Sequence, residues 1–296
     1  MDIRPLGIED ISWCQQVFDA SYYDLHRRYG FTDGEPGEPE EWLRPILTHL
    51  LATDPRGSLG VTVDGRPVAF AASLQRDEYW FLSFLFVHPS EQREGLGRRL
   101  LNELVPSDPS IVRATVVESF QPASTGLYAS YGVVPQAIKY WLSGVSRPDA
   151  LPSMPEDLGR SPLSENDAVE IDALDRAVLG FTRSRDHGWW RREMTRGCTY
   201  RRGEKLVAYA YIEDDYIGPA LAADEATLRG VVADLVRTAP DPASVSVNLC
   251  STSGQVFRML IDAGARIDDS ARFQFVYCSN QGPLPSGYIH NSDWLP

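Results

Sequence analysis

Apolar residues along the chain switch between two periods, and the switches mark out the elements. Residues 79–87 are a continuous apolar and aromatic run broken only by Ser83, the pattern of a strand buried on both faces. Pro89 closes it, since proline cannot donate to a ladder. Leu96, Leu100, Leu101 and Leu104 then recur at helical spacing, so a helix begins near Gly95. Upstream, residues 58–63 and 67–74 flank Asp64-Gly65, a hairpin signal, and 79–87 completes a three-stranded meander. Residues 3–6 predict a first edge strand. Asp10 opens a helix carrying Ile11, Trp13, Val17 and Phe18, and residues 42–51 predict a second helix. The β-branched run 110–117 predicts a further central strand, 124–131 a short helix ended by Gly132, and 137–142 a last strand.

The same order then returns. A Pro-rich, apolar-poor stretch over 147–159 reads as a linker between a first domain, 1–146, and a second, 160–296. Residues 160–177 predict a strand and a helix. Residues 199–201 and 206–212 flank a turn at Arg202-Gly203-Glu204-Lys205, as 63–69 do at Asp64-Gly65. A strand over 216–220, a helix over 226–236, a strand over 244–249, a helix over 254–263 ended by Gly264 and a strand over 272–278 complete the second pass. Strands and helices interleaved in this way give an α/β (α+β) chain of two similar modules, each a mixed, mostly antiparallel twisted sheet flanked by helices. Arg183, Arg185, Asp186, His187, Trp189 and Trp190 form a polar-aromatic cluster between the second module's first helix and its hairpin, expected to be a packing helix.

Composition narrows the function classes. The 296 residues carry a net charge of −13, which argues against a nucleic-acid or anionic-membrane surface. The acidity suits a cationic acceptor, although solubility accounts for it equally well. No apolar run approaches the length of a membrane-spanning helix, and residues 1–10 show no secretory signal. Cys14, Cys198, Cys250 and Cys278 stand alone, so neither a metal site nor a disulfide framework is expected, and a reducing cytoplasm fits.

The loop between the buried strand and the helix at Gly95 carries the chemistry. Gly95 and Gly97 leave the backbone bare where a helix starts, and the first amides of a helix have no intrahelical partner. Such a terminus favours an anion, and Arg93, Arg98 and Arg99 add positive charge that a helix start would otherwise disfavour. Gln92-Arg93-Glu94-Gly95-Leu96-Gly97 resembles the acyl-CoA signature of the GNAT N-acetyltransferase superfamily, Q/R-x-x-G-x-G/A. Gln121, Ser124, Leu127, Tyr128 and Gly132 resemble the family's second block, with Gln121 standing where asparagine is usual. The resemblance covers residues 1–145 best.

The resemblance implies acetyl-CoA as acyl donor, no metal, and transfer to a primary amine of a small molecule without a covalent enzyme intermediate. It implies backbone pairing of the pantetheine arm with Leu85, Phe86 and Val87, and a pyrophosphate held over Gln92, Arg93, Glu94, Gly95, Leu96, Gly97 and Arg98. Tyr128 matches the tyrosine that protonates the leaving thiolate, and a phenol is a suitable donor for it. Glu118, ending the central strand, is the candidate base, with Glu78 as a second; His88 is given no role. The acidic stretch 30–41 falls where the family's acceptor site is covered. A non-catalytic acyl-CoA sensor and a protein N-acetyltransferase are the alternative readings. In the second module no such loop exists. Residues 218–225 read Gly-Pro-Ala-Leu-Ala-Ala-Asp-Glu, and Asp224 and Glu225 would repel a pyrophosphate, so that half is expected not to catalyse.

Overall fold

The computed structural model describes residues 1–31, 42–194, 196–268, 274–279, 284–289 and 295–296. The acidic stretch singled out above falls almost wholly outside them. The chain divides into two compact units, the first made of Met1–Val116, Phe120–Val134 and Cys278–Asn280, the second of Val117–Ser119, Pro135–Tyr277 and Gln281–Pro296.

In the first unit the elements run β1 (Asp2–Pro5), α1 (Ile11–Arg28), α2 (Leu43–Thr53), β2 (Ser58–Val63), β3 (Arg66–Arg76), β4 (Tyr79–Val87), α3 (Leu96–Leu104), β5 (Val112–Glu118) and α4 (Pro122–Ala129). Strands β1 to β4 are joined antiparallel in chain order, and β5 adds in parallel to β4. The β2–β3 turn holds Asp64 at φ +51° and Gly65 at φ +77°, the left-handed pair that suits a two-residue hairpin. Helices α1, α2 and α3 pack on β3 and β4. The core there is aromatic: Phe18, Phe70, Phe81 and Phe84 are all buried.

The β4–β5 ladder runs only from Tyr79↔Val112 to Leu82↔Thr115. Beyond Leu82, β4 has no described strand partner on the side away from β3. Burial follows the ladder: Phe81–Phe84 are buried, whereas Leu85, Phe86 and Val87 are half-buried.

The second unit contains β6 (Val134–Ser143), β7 (Leu158–Pro162), α5 (Ala168–Leu179), α6 (Ser184–Glu193), β8 (Arg196–Arg202), β9 (Lys205–Glu213), β10 (Tyr216–Ala222), α7 (Glu225–Arg237), β11 (Ser246–Cys250), α8 (Gly254–Asp262), β12 (Arg266–Ile267), β13 (Gln274–Cys278) and β14 (Tyr288–Ile289). Strand β6, grouped with the first module in the sequence, lies almost entirely here and pairs antiparallel with β11 from Ser143↔Ser246 to Lys139↔Cys250. The stretch read as a linker includes a turn of 3-10 helix at Pro148–Ala150 and reaches the start of β7.

The repeat extends to individual bonds. Val112 N donates to Glu78 O at 2.8 Å as β5 joins β4, and Ser246 N donates to Asp215 O at 2.9 Å as β11 joins β10. Asp10 accepts from Gly7 N at 2.9 Å, as Asp167 accepts from Ser164 N at 2.8 Å, though the arginine on Asp10 comes from β1 (Arg4) and the one on Asp167 from β8 (Arg201). The modules part at one point. β10 and β11 pair in parallel only over Tyr216–Ile217, and where they separate β14 lies between them, with Ile289 opposite both Ala220 and Leu249. Gly287 is required there, because a Cβ would come within 2.4 Å of the Ala222 carbonyl oxygen.

Candidate functional site

Helix α3 begins at Gly95, whose φ of +78° is left-handed, and no side chain caps it. The amides at its start are therefore left for water or a ligand. Arg93 before it also adopts a left-handed φ, +73°, a conformation uncommon for a residue with a side chain of this size. Arg93, Gly95, Leu96, Gly97 and Arg98 line a cavity of about 570 Å³ that runs back along Leu85, Phe86 and Val87 of β4. Of the residues expected to touch the donor, the structure thus brings all to one cavity except Glu94, which is exposed and outside the lining.

Charge at the cavity is lopsided. Asp24 is paired with Arg28, and Glu91 with Arg66. No described carboxylate pairs with Arg93 or Arg98; the one hydrogen bond from the Arg98 guanidinium among the described residues goes to the neutral Ser130 Oγ, at 3.1 Å. The amides and these two guanidiniums converge on the same turn, an arrangement suited to a polyphosphate.

The opposite wall comes from α1, where Ser21, Asp24, Leu25 and Arg28 fall on one helical face. Sequence reasoning missed these, although their spacing of three and four was visible. Ser21 is buried; its Oγ donates to Val17 O or to Val87 O at 2.9 Å, and Gln92 Nε2 also donates to Val87 O at 3.1 Å. Arg28 in turn reaches Gln92 Oε1 at 3.2 Å, which fixes the Gln92 amide. Gln92 thus braces the end of β4 while also lining the cavity. Gln121 lines the cavity beside Pro122 and Ala123, and its Oε1 accepts the Ser124 hydroxyl.

The two expected catalytic groups are placed differently. Tyr128 is buried on α4 at 7% exposure, and its neighbour Leu127, not Tyr128, lines the cavity. Glu118 ends β5 and falls within the second unit. His88 closes β4 by accepting from Ser90, which leaves it a turn-forming part. Among the described residues no group of three or more His, Cys, Asp or Glu could hold a metal ion, and all four cysteines are free and buried.

In the second module the corresponding helix start is closed. Asp224 caps α7, accepting from Thr227 N at 2.7 Å, and that bond holds its carboxyl below the usual range. Glu225 Oε1 accepts from Gln255 N at 2.6 Å.

Comparison with known proteins follows this geometry. Residues 19–133 match the Acetyltransferase (GNAT) family. Along the whole chain, a putative acetyltransferase from Pyrococcus horikoshii superposes with a TM-score of 0.72 at 14% identity, over 100% of this chain and 95% of that one. The chain has the GNAT acetyltransferase fold, built twice. A GCN5-related N-acetyltransferase from Sphaerobacter thermophilus shares this GNAT fold at a TM-score of 0.59 and 16% identity, over 94% of this chain and 95% of that one. So does a tandem GNAT protein from the clavulanic acid biosynthesis pathway, at 0.57 and 14%, over 95% and 99%. At such identities the likeness of the solved structures speaks for the fold alone. A comparison with curated proteins gives no match. The family matched at 19–133 is one of acetyltransferases, and both GNAT sequence blocks, 92–97 and 121–132, lie inside that segment.

Proposed function

We propose that the first module moves an acetyl group from acetyl-CoA to the primary amine of a small molecule, by direct attack within a ternary complex. The observation that carries this reading is the continuity of one cavity from an uncapped, arginine-flanked helix start to the stretch of β4 past its ladder with β5. A diphosphate suits the first end, and an extended arm with two amides suits an unpaired strand edge at the other. The acid is Tyr128, which gives its phenolic proton to the departing thiolate; the base is Glu118, which takes the proton of the attacking amine directly or through water. Positioning of donor and acceptor supplies much of the rate.

Thiol release from acetyl-CoA, measured against a panel of small amines and of peptide N-termini, tests the acceptor class. A small amine should support turnover; turnover only with peptides would shift the reading to protein N-acetylation. Tyr128→Phe should lower kcat while coenzyme A affinity stays within about twofold. Binding of coenzyme A without turnover on any amine would leave a sensor instead.

A further inference from the structure

Outside the proposed transferase site, a second cavity of about 480 Å³ opens on the second unit, between the end of α6 and the start of β8. Its lining includes Trp190, Arg191, Arg192, Arg196 and Tyr211, with Glu165 as its carboxylate. Three guanidiniums in one cavity are unexpected in a chain of net charge −13. No described carboxylate forms an ion pair with Arg191, Arg192 or Arg196; Arg192 donates to the Gly188 carbonyl oxygen at 2.7 Å. Two neighbouring arginines are engaged by contrast: Arg183 with Asp175, and Arg201 with Asp167 and Glu170.

Two donors on the lining residues are buried and lack an acceptor. Trp190 has 0% exposure, and its Nε1 has no hydrogen-bond partner; Nη1 of Arg191 is likewise buried and unpartnered. Buried donors are almost always satisfied in native proteins, so two orphans on one cavity indicate a missing acceptor. The Tyr211 hydroxyl donates to His187 and accepts a hydrogen bond from Arg191, which aims that guanidinium at the cavity wall but leaves Nη1 and the Trp190 indole N–H unpartnered. Asp175, fully buried, accepts from His187 Nε2 at 3.0 Å, and His187 Nδ1 accepts from the Tyr211 hydroxyl at 3.0 Å. Burial would raise the Asp175 carboxyl, but the Arg183 charge and the His187 bond outweigh it and keep it ionised. Burial holds His187 neutral, which fixes it as acceptor for Tyr211. The cavity floor is thereby held in place, and apart from Glu165 the charged groups of the lining are guanidiniums.

We propose that this cavity binds a small multivalent oxyanion, a phosphate or a polycarboxylate, with the Arg191, Arg192 and Arg196 guanidiniums and the Trp190 indole N–H as its ligands. The full chain should be titrated calorimetrically with inorganic phosphate and with citrate at matched ionic strength. Saturable one-to-one binding of at least one anion in this cavity is expected; the tighter anion identifies the source. Arg192 and Arg196 are exposed, so Arg192→Gln/Arg196→Gln should fold normally and weaken binding at least tenfold. Trp190→Phe keeps an aromatic ring, removes the N–H donor with the smaller half of the indole, and should weaken binding several-fold. Arg93→Gln/Arg98→Gln, in the other cavity, should leave this affinity unchanged. No saturable binding of either anion, or equal affinity in the Arg192→Gln/Arg196→Gln variant, overturns the proposal; loss of binding in Arg93→Gln/Arg98→Gln instead also overturns it by moving the anion to the first module.

Discussion

The two glycines of the α3 turn should respond to alanine in opposite ways. Gly97 is helical, and a Cβ built there would lie 3.4 Å from Leu127 Cδ2 and 3.7 Å from Leu85 Cδ2. Both are contacts with flexible side-chain ends. Alanine in a helix interior is more stable than glycine by about 0.8–1.0 kcal/mol; in a first turn roughly half of that should survive. Gly97→Ala should therefore leave the ligand-free protein as stable or more stable by about 0.5 kcal/mol. Gly95 has open space around it but sits at φ +78°, so Gly95→Ala should lose about 1 kcal/mol to left-handed strain. That corresponds to a fall of roughly 2–5 °C in the melting temperature of a domain this size. Coenzyme A binding should read differently. A methyl at 97 covers the amides a diphosphate approaches, so affinity should fall at least tenfold, about 1.4 kcal/mol, despite the gain in stability. Thermal melts without ligand, paired with calorimetric titration of coenzyme A, measure both quantities. Gly97→Ala destabilised by more than about 1 kcal/mol with coenzyme A affinity unchanged would show the glycine to be a packing residue and refute the reasoning.

Other expectations concern the scaffold. Asp10 accepts from Arg4, from Gly7 N and from Trp13 Nε1 at 2.7 Å, and the Arg4 bond above all holds its carboxyl below the usual range. Asp10→Asn should cost about 2 kcal/mol at neutral pH; because the folded value is depressed, this contribution is full above the unfolded carboxylate value of about 3.9 and fades as pH falls through the folded one, so wild type and variant should converge in acid melts. Asp175→Asn strands the fully buried Arg183 charge and should cost about 3–5 kcal/mol, whereas Asp175→Leu/Arg183→Met should recover much of that in thermal melts. Asp224→Ala removes the α7 cap and should cost about 1 kcal/mol, yet give the second module no measurable coenzyme A binding.

What could be read from the chain differed from element to element for physical reasons. Gly95, the leucine stripe after it and the Asp64-Gly65 turn are local signals, and α3 and the β2–β3 hairpin fall where these placed them. Helix α4 starts two residues earlier than the apolar pattern indicates, because Pro122 serves as its first residue and leaves Ser124 to Gln121. The α1 wall escaped notice since Ser21, Asp24 and Arg28 look like a solvated face until β4 is laid beside them. Helix α6 defied its hydrophobic period because its anchors are polar: His187, and the Arg183 that precedes it, are buried through Asp175, Tyr209 and Tyr211, partners remote in the chain. Strand β14 has only two residues, too short for any periodicity to register.

That short strand bears on what the second module could be made to do. Where the end of β4 has no described strand partner in the first copy, the second seats its own backbone, held by Tyr288 against Arg183 at 3.0 Å and by Ser286 against the Ser253 hydroxyl at 2.7 Å. A tethered occupant enjoys an effective concentration that no dissociating molecule matches. Building coenzyme A binding into the later half would therefore take the eviction of residues 284–289 before any redesign of the helix start could matter.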